Sequence, residues 1–314
     1  MAAPVGSIPT RSRHGGVAVK RAYVVVNPVA GRGRGRRLAQ PIGEAFRARG
    51  WDVEVRATTR AGEERVLAAA AARDGWPLVV VAGGDGTVHE VANGLLREAP
   101  HTTLGVLGAG TGNDFAGLVG TAGSVEQGVR ALERGQDRSF DVGQVEGEYF
   151  TNGFGVGFGP AVLQRMEQLP RLRGSVLYLG AAMRTFVGFR PETVELDADA
   201  HREVGPLMLA EVAIGRTAGG GYRFTPHADP EDGLFDVCVI RRVSLLQFLR
   251  YLPRVAAGTH ATLPPVTIVQ ARAVRIATPG RALVAHLDGE VRTYGGDTLD
   301  VRLLPRALKV RCAA

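Results

Sequence analysis

Two different patterns of apolar and polar positions divide the chain near residue 143. Before that point, short apolar runs alternate with longer segments of helical periodicity. The runs are Tyr23–Val26, Asp52–Thr58, residues 78–82 and Leu104–Leu107, and the segment Ala61–Asp74 is rich in alanine, a strong helix former. Such alternation predicts βαβ units with a mainly parallel sheet. We therefore predict an α/β domain over residues 21–143.

After residue 143 the chain consists mostly of short β-like runs that turn residues separate. The runs are Thr193–Leu196, Leu207–Ile214, Leu234–Ile240, Val266–Val269, Val274–Ala277 and Ala282–Leu287. This pattern predicts an antiparallel β-sandwich or barrel over residues 144–302. Two helical segments interrupt it, at Pro160–Val187 and Leu245–Ala257. Their apolar positions fit either ordinary core packing or an entrance for a lipid.

A glycine-rich loop follows three of the predicted strands, at residues 27–31, 83–87 and 108–115. Glycines let the backbone approach a ligand closely, and the start of a helix offers unpaired N–H groups to an anion. Because the loops at the carboxyl ends of parallel strands meet in one crevice, we expect the three loops to bind one phosphate-bearing ligand. Asp85 would repel a bare phosphate, so the central loop predicts a magnesium-bound nucleotide.

The composition narrows the classes of partner. The chain has 314 residues with 45% hydrophobic content, which suits two domains. Lys and Arg number 38 against 31 Asp and Glu, and the net charge of +7 favours acidic partners such as nucleotide phosphates or an anionic membrane surface. With 6% aromatic residues and no nucleic-acid-binding motif, we do not expect nucleic acid as a partner. The oligomeric state stays open, a homodimer included.

The first residues and the two cysteines indicate in which cellular compartment the protein is found. Residues 1–20 have no periodicity, so we predict a disordered basic tail that does not resemble a signal peptide. Cys238 and Cys312 have no metal or redox spacing, which is typical of a reducing compartment. No apolar run reaches the roughly 18 residues that a spanning helix needs. We therefore expect a cytoplasmic protein whose membrane contact is peripheral.

Four motifs together resemble the diacylglycerol kinase catalytic-domain family, in particular its soluble bacterial lipid kinases. They are Asn27–Gly31, Gly83–Thr87, Gly110–Ala116 and Leu287-Asp288-Gly289-Glu290. The resemblance covers most of the chain. It implies a nucleotide-binding α/β domain, a C-terminal β-sandwich domain for the lipid, and an active site in the cleft between them. It also implies that residues 303–314 return to pack on the first domain.

The same resemblance implies a set of site residues. Glu290 would be the general base with help from Asp288, while Asp85 would orient the magnesium of the nucleotide. His89 departs from the family, which usually has asparagine at that position. The residues implied to bind ATP are Asn27, Pro28, Gly31, Thr58, Gly83, Gly84, Asp85, Gly86, Thr87, His89, Gly110, Thr111, Asn113 and Asp114. Those implied to bind a structural magnesium ion are Asp229, Asp232 and Leu234, the first and last through main-chain carbonyls.

The sequence thus predicts an ATP- and magnesium-dependent kinase that phosphorylates the hydroxyl of diacylglycerol or a related lipid. An NAD kinase shares the Gly-Gly-Asp-Gly-Thr loop, but the Gly110–Ala116 loop and Asp288-Gly289-Glu290 favour the lipid kinase. A third interpretation is a non-catalytic protein that binds nucleotide or lipid, although every expected acidic residue is present. The acceptor lipid is not identified, because many lipids present a hydroxyl beside an apolar body.

Overall fold

The computed structural model describes residues 20–98, 101–110, 112–168 and 174–314. The predicted basic tail, apart from Lys20, lies outside the described residues, and so does the predicted nucleotide-binding residue Thr111. Residues 169–173, in the middle of the helical segment predicted at 160–187, lie outside them as well.

The first half of the chain alternates strands with helices. Its elements are β1 (Arg21–Val26), α1 (Ala30–Gly33), α2 (Ala39–Arg47), β2 (Asp52–Ala57), α3 (Glu63–Arg73), β3 (Leu78–Gly83), α4 (Asp85–Glu98), β4 (Thr103–Gly108), α5 (Asp114–Leu118) and α6 (Val125–Arg134). The strands β2, β1, β3 and β4 are neighbours in that order, and all their pairings are parallel. β3 is buried along its whole length because side chains from helices pack on both faces of this sheet.

The second half of the chain is mainly antiparallel sheet. Its elements are β5 (Gln136–Val145), β6 (Glu148–Phe150), β7 (Gly153–Gly157), α7 (Phe158–Glu167), α8 (Gly174–Gly188), β8 (Glu192–Ala198), β9 (His201–Ala213), β10 (Phe235–Arg241), α9 (Leu245–Ala257), β11 (Val266–Ala271), β12 (Ala273–Ala277), β13 (Val284–Leu287), β14 (Glu290–Thr293) and β15 (Thr298–Cys312). Pairs such as β8 with β9 and β13 with β7 run antiparallel around a separate apolar core. The predicted fold class, a parallel core followed by an antiparallel β-sandwich-like region, is confirmed.

The strand β15 pairs with strands from both halves. It runs antiparallel to β12 and β5, and Val310 pairs in parallel with Leu104 of β4. The predicted division of the chain at residue 143 falls within β5, and the division at residue 302 falls within β15. These domain limits stay predictions.

The helices α7, α8 and α9 contribute to a third apolar cluster, which lies against β9. α9 begins with a capping box, in which the Ser244 hydroxyl accepts a hydrogen bond from the main-chain N–H of Gln247, and it ends at Gly258 in the left-handed conformation. The Phe248 ring of α9 stacks on Phe186, with 4.5 Å between ring centroids. Among the described residues, no helix combines the length and apolar character that a membrane crossing requires. The outer face of α9 exposes Leu245, Leu246 and Leu249.

Candidate active site

The central loop connects the buried strand β3 to α4 and depends on its glycines. A Cβ atom on Gly83 would lie 2.4 Å from the Cβ of Thr87, and one on Gly110 would lie 2.4 Å from the Cα of Gly84. Both distances are shorter than real Cβ contacts, so only glycine fits at these two positions. The loop after β3 and the loop after β4 are therefore packed backbone against backbone.

The loop after β1 joins the same cluster through Asn27. Its amide nitrogen donates a hydrogen bond to the hydroxyl of Thr87 at 3.1 Å, while its amide oxygen accepts one from the main chain of Val29 at 3.0 Å. Gly31 has a φ of +56°, and a Cβ there would lie 2.3 Å from the carbonyl oxygen of Ala109. The three glycine loops thus meet, as expected for loops at the carboxyl ends of neighbouring parallel strands.

These loops, together with the loop between β2 and α3, line a cavity of about 540 Å³, here called the loop cavity. The lining includes the predicted nucleotide residues Asn27, Pro28, Gly31, Thr58, Gly84, Gly86, Thr87 and Gly110. Thr58 is buried and donates a hydrogen bond to the carboxylate of Glu64. Glu290 lines the loop cavity from the other half of the chain.

A second cavity of about 320 Å³, the sheet cavity, lies beside the first. Its lining includes the acidic side chains Asp85, Asp114, Glu211, Asp288 and Glu290, and the apolar and aromatic side chains Leu163, Met166, Tyr178, Leu209 and Phe224. Gly86 and Glu290 line both cavities, and a Cβ on Gly86 would lie 2.2 Å from the carboxylate of Glu290. The carboxylate of Glu290 therefore lies directly over Gly86, where the two cavities meet.

Asp85 and Asp114 bring two carboxylates together in the lining of the sheet cavity. Burial and the charge of Asp114 raise the pKa of Asp85 to about 6, although Asp85 also accepts a hydrogen bond from the main chain of Phe115 at 3.1 Å. Asp114 accepts one from the main chain of Gly220 at 2.9 Å. A bound cation would relieve the repulsion between the two carboxylates, so this pair fits the magnesium ion that the sequence predicts.

Asp288 is held by the main chain around it. Its buried carboxylate accepts hydrogen bonds from the N–H groups of Thr151 at 3.0 Å, Asn152 at 2.8 Å and Gly153 at 3.1 Å. Burial alone would raise the pKa of Asp288, but the bond and charge of His89 and these N–H donors outweigh burial and lower it. Asp288 thus anchors the β13–β14 turn, which carries Glu290 two residues later.

Three of the predicted nucleotide-binding residues that the structure describes line neither cavity. His89 is fully buried on α4, where its Nδ1 donates a hydrogen bond to Asp288 at 3.0 Å. Burial would lower the pKa of His89, but the bond and charge of Asp288 raise it overall. Asn113 has a positive φ of 59° and bonds both main-chain groups of Gly110, so it shapes the third loop. Gly83 ends β3 beneath Thr87.

The predicted structural magnesium loop lies between β9 and β10. One oxygen of Asp232 accepts a hydrogen bond from the main chain of Leu234 at 2.9 Å, and the other accepts one from Gln270 at 3.2 Å. Burial raises the pKa of Asp236, and the negative charges of Asp232 and Asp229 contribute. Among the described residues, no three His, Cys, Asp or Glu side chains form a metal site. The predicted magnesium ligands of this loop stay a prediction.

A buried polar pair in the sheet cavity was absent from the sequence-based site. Glu211 on β9 and His286 on β13 line the cavity, and the Nε2 of His286 lies 3.1 Å from a carboxylate oxygen of Glu211. The only signal in the sequence is an acidic residue inside the apolar run Leu207–Ile214. That signal identifies a buried carboxylate but not its partner 75 residues away.

Comparisons with known proteins match both halves of the chain. The family model described as the diacylglycerol kinase catalytic domain matches residues 21–145, and the one described as the YegS C-terminal NAD kinase beta sandwich-like domain matches residues 154–312. A protein named diacylglycerol kinase from Bacillus subtilis (strain 168) is 31% identical over 280 residues, which cover 88% of this chain and 91% of that protein. A Pseudomonas fluorescens protein named "Probable lipid kinase YegS-like" is 32% identical over 276 residues, 85% of this chain and 88% of that one.

A solved structure is similar in fold. The crystal structure of a diacylglycerol kinase from Bacillus anthracis str. Sterne has a TM-score of 0.72 and 21% sequence identity. The match covers 95% of this chain and 98% of that one, so the two chains share a fold over nearly their whole lengths.

Proposed function

This chain belongs to the diacylglycerol kinase catalytic-domain family and is a phosphotransferase with an alcohol acceptor, and on that premise we propose that it transfers the γ-phosphate of ATP to a lipid hydroxyl. The acceptor is diacylglycerol or a related lipid. The observation that carries this proposal is the meeting of the two cavities at Gly86 and Glu290. A polar cavity formed by glycine loops on one side and an apolar-walled cavity on the other suit a nucleotide and a lipid.

The loop cavity is the proposed site for the nucleotide. Its glycine main chain can approach the phosphates closely, and the start of α4 presents N–H groups toward them. Asp85 and Asp114 would hold the magnesium ion, which would supply positive charge to the phosphate oxygens. In this proposal Asn27 and Asn113 stabilise the conformation of the loops, and Thr111 of the third loop binds the nucleotide.

Glu290 is the proposed general base. Its carboxylate takes the proton of the lipid hydroxyl, the hydroxyl oxygen forms a bond to the γ-phosphorus, and the bond from that phosphorus to the β–γ bridging oxygen breaks as ADP leaves. The Glu290 side chain is exposed to the cavities, so it can reach an acceptor that enters from the sheet cavity. Asp288 holds the turn that presents it.

A structural magnesium ion at Asp229, Asp232 and Leu234 is a further part of the proposal, supported by the clustered negative charge at this loop. Asp232→Ala should remove the stabilisation that magnesium gives to the parent protein, because the carboxylate would neutralise the ion. Thermal melting with and without magnesium measures this effect. Asp300→Ala, which changes an exposed aspartate on β15, is the control. An equal response of both variants to magnesium contradicts the site.

Peripheral contact with an anionic membrane is the proposed route to the lipid. The outer face of α9 combines the exposed side chains of Leu245, Leu246 and Leu249 with the arginines Arg242 and Arg250 nearby in sequence. Apolar side chains surrounded by positive charge suit an interface of acyl chains and anionic headgroups.

One assay separates the proposed function from its two rivals. The protein is incubated with magnesium and γ-labelled ATP, and with either dispersed diacylglycerol or NAD. Label in the lipid, and none with Asp85→Asn, supports the lipid kinase. Label in NAD would favour an NAD kinase. If nucleotide stabilises the protein but no labelled product forms from either acceptor or from a wider panel of lipid alcohols, the result would favour a non-catalytic binding protein.

A further inference from the structure

A surface groove of about 360 Å³, here called the helix groove, lies between the end of α8 and the start of α9. Residues from both helices, the residues that follow α8 and those that precede α9 line it, and Met208 of β9 contributes as well. Among the described residues, the helix groove shares none of its lining with the loop cavity or the sheet cavity. The phosphate transfer proposed above therefore does not account for it.

Two arginines, Arg190 and Arg242, line the helix groove, and both side chains are exposed. In the part of the chain that the structure describes, neither forms an ion pair, and Arg190 donates only a long hydrogen bond of 3.4 Å to the carbonyl oxygen of Phe189. The neighbouring Arg241, by contrast, pairs with Glu203. No acidic side chain of the described residues lines the groove. An anion bound there would relieve the repulsion between the two guanidinium groups.

The segments that form the groove contain no acidic residue to neutralise these arginines. Residues 168–191 contain four arginines, residues 237–287 contain seven, and neither segment contains Asp or Glu. The whole chain has 31 acidic residues among 314, about one in ten, so their absence from both segments is a local feature. Glu192, which follows the first segment, pairs with Arg281. The positive charge at the groove is thus available to an external anion.

Exposed apolar side chains lie at the same groove. Val187 and Leu245 both line it, and they are 75% and 46% exposed. A small water-soluble anion would leave these side chains in water, whereas an anionic lipid would bring acyl chains to them together with its phosphate. Leu245 also belongs to the outer face of α9, for which membrane contact is proposed above. The groove is therefore continuous with that face.

We propose that the helix groove binds the phosphate headgroup of an anionic phospholipid, with Arg190 and Arg242 contacting the phosphate. The inference rests on the proposed function, whose acceptor lies in a membrane, and it narrows a general attraction to that membrane to a site for one headgroup. A planar guanidinium group can donate two parallel hydrogen bonds to phosphate oxygens, so two arginines suit one phosphate. Val187 and Leu245 contact the acyl chains. A bound lipid would fix the orientation of α9 on the membrane.

The test uses lipid monomers, because general attraction to a charged surface requires a membrane and binding to a site does not. Dihexanoyl phosphatidylglycerol, below its critical micelle concentration, is titrated into the full chain by isothermal titration calorimetry. Dihexanoyl phosphatidylcholine, with the same chains but no net charge, and inorganic phosphate, without chains, are the comparison ligands. Saturating magnesium-ADP in every titration keeps phosphate out of the loop cavity. We expect saturable one-to-one binding of phosphatidylglycerol, with affinities for the other two at least tenfold weaker.

Variants of exposed arginines locate the binding. Arg242→Gln removes one guanidinium group and should weaken the binding of phosphatidylglycerol about tenfold or more, because hydrogen bonds between charged groups are the strong ones. Arg184→Gln makes the same change at an exposed position of α8 that does not line the groove, and it should alter the affinity less than about twofold. Arg190→Gln should repeat the loss seen with Arg242→Gln, and it decides the matter if Arg242→Gln does not fold.

Several results would overturn the headgroup site. They are no saturable binding of phosphatidylglycerol, equal affinity for inorganic phosphate, and equal losses in Arg242→Gln and Arg184→Gln. A chain that self-associates without lipid and that Arg242→Gln makes monomeric would show instead that a second copy covers the groove. None of these measurements involves phosphate transfer, so each would leave the proposed lipid kinase intact. Failure of the proposed function would appear separately, as the absence of labelled lipid in the assay with γ-labelled ATP.

Discussion

The loop cavity and the sheet cavity share Gly86 and Glu290 but are built in different ways. The loops that follow β1, β2, β3 and β4 line the first together with Glu290, and glycines in these loops bring main chain to its surface. Side chains from α7, α8, β9 and β13 line the second, and these elements span more than a hundred residues. The first construction suits a phosphate group, which main-chain N–H groups can bind, and the second suits selection among acceptors. Catalysis should therefore depend on their junction, and specificity on the sheet cavity.

The largest expected effect is beside the junction, with Asp85→Asn. The change keeps the shape of the side chain and removes its repulsion with Asp114, so the fold should be retained. Turnover should fall about 10³-fold or more, because losing a metal contact costs several kcal/mol of barrier and about 1.4 kcal/mol corresponds to tenfold. Phosphate transfer and thermal melting measure the two expectations. Activity within a factor of a few of the parent would show that Asp85 does not hold the metal.

The next effect is expected with Glu290→Gln, which is nearly isosteric. A positioned general base typically contributes about 10²–10⁴-fold in rate, so kcat should fall by that factor while the affinity for ATP stays the same. Single-turnover rates and nucleotide titration measure both quantities. Glu146→Gln, at the exposed β5–β6 turn, is the control. If Glu290→Gln turns over normally while Asp288→Asn is folded and inactive, Asp288 is the base and the two roles are reversed.

The difference between the two cavities also explains what could be predicted from sequence. The parallel strands and the loops at residues 27–31 and 83–87 are contiguous motifs, because a strand, its glycine turn and the next helix are neighbours in the chain. Glu211 and His286 are brought together only by the register of β9, β7 and β13. That register arises from pairing between distant strands, and no local pattern specifies it.

The contact of His89 with Asp288 shows the same limit. His89 stands in the first turns of α4, where the resembled family usually has asparagine, and the resemblance implied a ligand contact there. In the structure its Nδ1 bonds Asp288, 199 residues later. The side chain is thus directed into the interior between α4 and the β13–β14 turn. Helix periodicity gives the face of α4 but not the element that packs on it.

A smaller effect, on the pH dependence of stability, is expected at the contact between His89 on α4 and Asp288 in the β13–β14 turn. The pKa of His89 is raised in the folded protein, so the stability that it contributes is present below its unfolded pKa of about 6.5 and is lost as pH rises through the folded pKa. The pKa of Asp288 is lowered, so its contribution is present above about pH 3.9 and is lost as pH falls through the folded pKa. The pair therefore stabilises the fold most between these limits.

His89→Asn tests this link with a matched change. Its amide can still donate a hydrogen bond to Asp288, but it does not titrate in this range. Urea unfolding at pH 6 and pH 9 should show the parent losing more unfolding free energy than the variant over that interval. Identical losses in the two proteins would mean that the charge of His89 does not connect the regions.

The smallest expected effect is on membrane binding, and it tests whether α9, in the second half of the chain, contacts the lipid. Leu246 on α9 is 77% exposed, and Val66 on α3, in the first half of the chain, is 61% exposed. If α9 inserts, Leu246→Glu loses apolar burial and adds repulsion from anionic lipid, so binding to anionic vesicles should weaken about tenfold. Val66→Glu also replaces an exposed apolar side chain with glutamate, but on α3, and it should alter binding by less than about threefold.

Vesicle sedimentation at low and high salt measures both variants. Salt should weaken the binding of the parent protein because basic groups contribute to it. Equal partitioning of the parent onto neutral and anionic vesicles at low salt would refute the electrostatic part, and equal losses in the two variants would refute the assignment of α9.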